Sequence, residues 1–269
     1  MTAPQRTRFR ETELGLRIAS AIVLLIVILS AAWVGGWVFA LLCGALSGVL
    51  FYEWLAMVSR TPFDMPEAVL TLGFAFLLLM CLIGYPLTGL IVMLVVGFII
   101  EWLTDGIERE DVRWIGLGAL YCAIPAFALP IIRDNSGFGL LLLLFLIVWV
   151  TDIGAYFAGR HFGGPKLMPA ISPKKTWSGA IGGLVCAVAV ALIFGALSGS
   201  ISPWPAALFA AFLSIASQIG DLFESWVKRR VNVKDSSGLI PGHGGFLDRV
   251  DGLSVAALPV GILVLLSLP

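Results

Sequence analysis

The chemistry of this chain is concentrated in four clusters of ionisable residues set in an otherwise apolar sequence. The densest runs from Ser225 to Asp251, SWVKRRVNVKDSSGLIPGHGGFLDRVD, where nine of 27 residues are Lys, Arg, Asp or His. Such density beside apolar runs fits a site for an anion that lives in, or comes to, a bilayer. Within it, Pro241-Gly242-His243-Gly244-Gly245 is a turn pattern. Its three glycines leave backbone N–H groups open to a phosphate, with no Cβ in the way. Asp248 and Asp251 follow three residues apart. Either could meet a ligand or simply cap the next helix.

Just upstream, offsets of 4, 7 and 11 from Ser217 place Asp221, Glu224 and Lys228 on one helical stripe. Two carboxylates one turn apart repel unless a cation neutralises them. Mg²⁺ suits, because it takes one or two carboxylates and completes its shell with water and substrate phosphates. A Glu224–Lys228 ion pair is the alternative. The third cluster, Ser172-Pro-Lys-Lys-Thr-Trp-Ser-Gly, leads into an apolar run. Thr176 or Ser178 could cap the helix that follows, whose N-terminus suits phosphate oxygens, with Lys174 and Lys175 as mobile charge beside it. The same lysines could instead touch anionic lipid headgroups. The Walker A spacing is absent. The fourth cluster is Asp152, after the apolar run Phe138–Val150, with Tyr156 one turn on. A carboxyl at that depth needs a partner helix or a watery cavity.

The elements that must position these residues are membrane helices. The chain has 269 residues, 59% hydrophobic and 13% charged, with mean hydropathy +0.99. Soluble domains carry about 25% charged residues. The pattern predicts an all-α, polytopic integral membrane protein with about nine spans: 14–33, 37–58, 66–83, 87–103, 114–132, 138–158, 178–198, 204–223 and 252–268. Residues 1–135 read as structural, with dimerisation as their further task, and 136–269 as the catalytic region. With the N-terminus in the cytoplasm, 16 of the 17 basic residues fall on the inner side and only Arg133 outside, the asymmetry that sets membrane orientation. The first span follows an Arg-rich start and reads as a retained signal anchor. Glu53 and Glu101 read as interfacial or helix-packing carboxylates, and Trp33, Trp37, Trp54 and Trp102 as an aromatic belt. Cys43, Cys81, Cys122 and Cys186 lie in separate apolar stretches and read as buried packing residues. The outer connections are too short for an outer domain. A transporter would show polar residues through the whole membrane thickness, and the chain lacks the internal repeat common in such folds.

Ser225-x-Val227-Lys228-Arg229, then Lys234-Asp235, Ile240-Pro241-Gly242-His243-Gly244-Gly245 and Asp248-Arg249-Val250-Asp251, resembles the signature of the phosphatidate cytidylyltransferases (CDP-diacylglycerol synthases). The Ser172–Gly179 stretch and the Asp152–Tyr156–Gly159 block resemble the same family, in order. The resemblance implies that CTP and phosphatidate give CDP-diacylglycerol and pyrophosphate, with Mg²⁺ (and possibly a second cation) required. It implies membrane lipids as surroundings, a homodimer and no nucleic-acid partner. A prokaryotic inner membrane with the site facing the cytoplasm is the expected location. On this reading Asp221, Lys228, Arg229, His243 and Asp248 are catalytic, and Asp221, Asp248 and Asp251 hold the metal. Asp152, Tyr156, Ser172, Lys174, Lys175, Thr176, Ser225, Lys234, Asp235, Gly244, Gly245 and Arg249 bind substrate. A CTP-dependent polyprenol kinase or a CDP-archaeol synthase would share parts of these motifs. A CDP-alcohol phosphotransferase would continue differently after Asp251-Gly252. Reporter fusions placed within 225–251 are expected to mark the cytoplasmic side; an outer signal would remove the site from nucleotide pools.

Overall fold

Lipid offers no hydrogen bonds, so long apolar runs fold as helices that satisfy their own backbone. The computed structural model describes residues 3–58, 65–103, 110–199, 202–239 and 244–267. Its helices are α1 (Ala3–Val34), α2 (Gly36–Val58), α3 (Met65–Leu82), α4 (Pro86–Leu103), α5 (Glu110–Phe162), α6 (Trp177–Ser198), α7 (Pro203–Arg230) and α8 (Leu247–Leu266). Among the described residues five stretches are long and apolar enough to cross a membrane: Gly36–Val58, Arg113–Phe162, Trp177–Ser198, Pro203–Arg230 and Leu247–Leu266. Ala19–Val34, Ala68–Leu82 and Pro86–Ile100 are shorter apolar helices. The fifth and sixth expected spans, 114–132 and 138–158, both lie in α5, which is two helices meeting at Gly137, where φ is 81° and ψ 174°.

The fold also departs from all-α. The expected 159–177 connection holds an antiparallel hairpin, β1 (Lys166–Met168) and β2 (Ser172–Thr176), paired Lys166 to Thr176 and Met168 to Ser172. Three- and five-residue strands containing lysines and a proline carry no alternating apolar pattern, so periodicity does not reveal them.

The chain forms two compact units, Met1–Ala123 with Asp235–Asp248, and Ile124–Lys234 with Arg249–Pro269. This division assigns part of the polar Ser225–Asp251 stretch to each unit. In the first unit α1 packs on α2, α2 on α3 and α3 on α4. Phe51 stacks on Phe74 with ring centroids 4.3 Å apart. Trp33, Trp37 and Trp102 are exposed, but Trp54 is fully buried, which removes it from the expected belt. Its Nε1 donates to the Trp114 carbonyl at 2.8 Å. Its ring occupies the space a side chain on Gly118 would need.

In the second unit α6 packs on α7, and α6 approaches α5 through small residues. A Cβ on Gly183 would stand 2.7 Å from the Thr151 carbonyl, and one on Gly179 would stand 2.8 Å from that of Ala155. Such small faces let membrane helices touch backbone to backbone. Polar cross-links reinforce them. Thr151 Oγ1 donates to the Ile147 carbonyl at 2.7 Å and lies 3.0 Å from Ser214 Oγ. Gln218 Nε2 donates to the Ala180 carbonyl at 3.3 Å. All four cysteines are free thiols, Cys43 and Cys122 buried.

The break in α5 generates a test. The backbone of Gly137 lies in a region essentially restricted to glycine, so Gly137→Ala should cost about 1–3 kcal/mol, read as a lower thermal midpoint in detergent. Gly139→Ala, with no atom within 4 Å of the added Cβ, should be neutral or stabilise by up to about 1 kcal/mol.

Candidate active site

In the second unit the hairpin delivers two lysines to the mouth of α6. Thr176 caps that helix, its side-chain oxygen accepting from Gly179 N at 3.2 Å. Ser178 Oγ donates to the Gly163 carbonyl and lies 3.0 Å from Thr176 Oγ1. Trp177 N donates to the Pro165 carbonyl at 3.1 Å. Two of the first amides of α6 are thus already bound, so the charge on Lys174 and Lys175 must carry more of any anion binding there. Lys174 is exposed and Lys175 half-buried. The Lys175 ammonium forms an ion pair with Asp221 Oδ2 on α7.

Asp221 belongs to a wider acidic group. A Cβ on Gly220 would stand 2.5 Å from the Asp251 carbonyl and 2.9 Å from Val255 Cγ2, so α7 and α8 touch where Asp221 and Asp251 sit. The charges of Asp221, Lys175 and Arg249 act on Asp152, and those of Asp221, Asp152 and Lys175 act on Asp251. Three carboxyl groups and two cations from β2, α5, α7 and α8 therefore lie within electrostatic reach of one another. Asp251 Oδ1 also accepts from Gly252 N at 2.8 Å, and Ser225 Oγ donates to Asp221 Oδ1 at 3.5 Å. Asp152, Tyr156 and Arg160 form an exposed stripe on α5, with Arg160 Nη1 donating to Tyr156 Oη at 2.8 Å. Among the described residues no three His, Cys, Asp or Glu side chains converge tightly enough to cage a metal. The donors are nonetheless hard oxygens, and a lysine ammonium already occupies Asp221. That suits a cation bound by one or two carboxylates and completed by substrate phosphates.

The stripe expected on α7 forms as a helix through Arg230. Its Glu224 and Lys228 are paired at 2.7 Å, with side chains only 2% and 12% exposed. Removing one partner of a buried pair costs about 3–5 kcal/mol. The Glu224–Lys228 ion pair, the alternative that the spacing leaves open, is thus formed. Arg229 Nε donates to the Ile171 carbonyl at 3.4 Å and Nη1 to that of Val233 at 3.3 Å, tying α7 to the hairpin. Ser172 is half-buried at the start of β2, and Lys234, Asp235 and Arg249 are exposed. His243 lies outside the described residues.

In the first unit a buried carboxyl organises the remaining polar segment. Glu53 on α2 is fully buried. Its oxygens accept from Ser237 Oγ at 2.5 Å, Leu247 N at 2.7 Å, Phe246 N at 2.9 Å and Ser236 Oγ at 3.3 Å. Asp248 Oδ2 accepts from Gly245 N at 3.0 Å, Ser236 Oγ at 3.1 Å and Ser236 N at 3.2 Å. This alters the expected phosphate cradle. The Gly245 N–H is engaged by Asp248, and an added side chain there would strike Ser236 Oγ and come within 2.8 Å of both Glu53 oxygens. Gly245 is thus glycine for packing, and Gly242 lies outside the described residues. The sequence alone suggests an interfacial or helix-packing carboxylate at Glu53. A lone acid in an apolar helix is itself a signal, but its donors lie more than 180 residues downstream.

Residues 15–267 match the model of the Cytidylyltransferase family. A Brucella suis biovar 1 (strain 1330) protein named phosphatidate cytidylyltransferase is 42% identical over 256 residues, covering 90% of this chain and 89% of that one. A Bacillus subtilis (strain 168) protein of the same name is 34% identical over 246 residues, covering 87% and 91%. A third, from Haemophilus influenzae, is 48% identical over 125 residues, 45% of this chain and 43% of its own.

The tight α7–α8 approach generates a test. Gly220→Ala should push Asp221 away from Asp251 and reduce turnover by about 100-fold, the effect of a displacement near 1 Å. Wild-type turnover in a folded Gly220→Ala protein would show that this approach does not set the site.

Proposed function

The chain belongs to the cytidylyltransferase family, and from that premise we propose that it makes CDP-diacylglycerol from CTP and phosphatidate at the inner face of a bacterial membrane. The observation that carries the reading is the Lys175–Asp221 ion pair beside Asp152 and Asp251, at the entrance of α6. A lipid-borne phosphate and a nucleotide triphosphate are both polyanions, and they approach each other only where protein cations offset their repulsion. The bias of basic residues toward one side supports the cytoplasmic location.

In the proposed step a phosphatidate oxygen attacks the α-phosphorus of CTP. The new P–O bond forms as the bond from the α-phosphorus to the bridging oxygen breaks, and that electron pair leaves with pyrophosphate. A phosphate monoester is already nucleophilic, so no side chain need attack. The protein's work is positioning and charge compensation. Lys174 and Lys175 contact the phosphates, Lys175 exchanging its bond to Asp221 for one to substrate. Tyr156 and Arg160 offer donors along the α5 stripe, and Arg229 fixes the hairpin against α7. Asp221 and Asp251 are the carboxylates to hold Mg²⁺, which when bound would offset charge on the triphosphate oxygens. Asp248 and His243 keep their expected catalytic roles on the sequence pattern alone.

Purified protein given CTP and phosphatidate should release pyrophosphate and place CMP on the lipid, with EDTA abolishing turnover and Mg²⁺ restoring it. Asp221→Asn and Asp248→Asn should each lose at least about 100-fold in kcat. Transfer of a bare phosphate to a polyprenol, with phosphatidate untouched, would overturn the reading.

A further inference from the structure

The start of α8 is held by an unusual partner. Phe246 precedes the helix and carries no side-chain oxygen of its own to cap it. Glu53 supplies the acceptors from α2, at 2.9 Å to Phe246 N and 2.7 Å to Leu247 N. The same carboxyl takes the hydroxyls of Ser237 and Ser236. Ser236 Oγ lies 3.3 Å from Glu53 and 3.1 Å from Asp248, so a single hydroxyl proton stands between the two acids. Asp248 in turn binds the Ser236 and Gly245 amides. Leu247, Gly245 and Ser236 are all buried, so the arrangement is packed as well as hydrogen-bonded.

We infer that Glu53 is a positioning residue for cytidylyl transfer: from α2 it holds Ser236–Ser237 and Phe246–Leu247 together and thereby fixes where Asp248 presents its carboxyl group. The inference rests on the reading above, because Asp248 matters only if that chemistry does. Glu53 is fully buried. It acts through the Ser236 hydroxyl and through the first turn of α8. An amide in its place keeps one acceptor but turns an NH₂ group toward donors that need an oxygen.

The test compares Glu53→Gln, Ser236→Ala, Ser237→Ala and the Glu53→Gln/Ser236→Ala double variant with wild type, all confirmed folded by size exclusion in detergent. Wild-type pyrophosphate release from CTP and phosphatidate tests the function itself; the ratio of variant to wild type tests Glu53. Glu53→Gln should lower kcat by about 100-fold, as displacement near the chemistry does, with KM for CTP and for phosphatidate within threefold, roughly, of wild type. Ser236→Ala should lower kcat severalfold, and its effect should shrink in the Glu53→Gln background because the two share one path. Amide exchange at Phe246 and Leu247 should quicken in Glu53→Gln, a readout independent of turnover. Unchanged kcat in folded Glu53→Gln would overturn the inference, as would purely additive effects. If Glu53→Gln does not fold, wild-type kcat in both Ser236→Ala and Ser237→Ala would overturn it, and a severalfold loss in both would support it.

Discussion

A carboxyl group among apolar helices must be met by donors or cations, and that constraint organises both units of this protein. Leaving a buried polar group unmet costs about 1–3 kcal/mol, a sizeable share of the stability of any domain. Glu53 meets it with two amides and two hydroxyls. Asp221 meets it with Lys175, and Glu224 with Lys228. Each solution fixes a backbone segment as a by-product. The first ties down the start of α8, the second brings the hairpin to α7, and the third stiffens the end of α7.

The two kinds of partner have different chemical uses. Amide donors are part of the backbone and cannot leave without unravelling a turn, so the Glu53 arrangement is suited to holding geometry. An ammonium on a four-carbon stem can swing away when a better anion arrives. The Lys175–Asp221 pair is half-exposed and suited to exchange. The Glu224–Lys228 pair is buried, and separating it would strand a charge. Partner type and burial together separate three similar carboxyls: amide-bound Glu53, half-exposed Asp221 and buried, lysine-paired Glu224.

Much of this was legible in the sequence, though unevenly. Local spacing gave the α7 stripe of Asp221, Glu224 and Lys228, because one helical period relates them. It also narrowed the cap of α6 to Thr176 or Ser178, because caps act within three residues, and Thr176 is the cap. Family membership was legible from the gap-free polar pattern between Ser225 and Asp251. The partners of Glu53 were not, since no local rule links α2 to residues near 236 and 246. Trp54 was misplaced for the same reason: its burial depends on the bare backbone at Gly118, 64 positions away. The hairpin escaped notice because its strands are short and polar. The junction at Gly137 shows that two helices can follow each other without a loop when glycine supplies the bend.

The hairpin also separates two residues that look interchangeable in the sequence. Lys175 is half-buried and paired with Asp221 of α7, whereas Lys174 is exposed. The doublet is therefore a division of labour. One amine is tethered to the protein's own acid, while the other is available to greet an incoming polyanion before it docks.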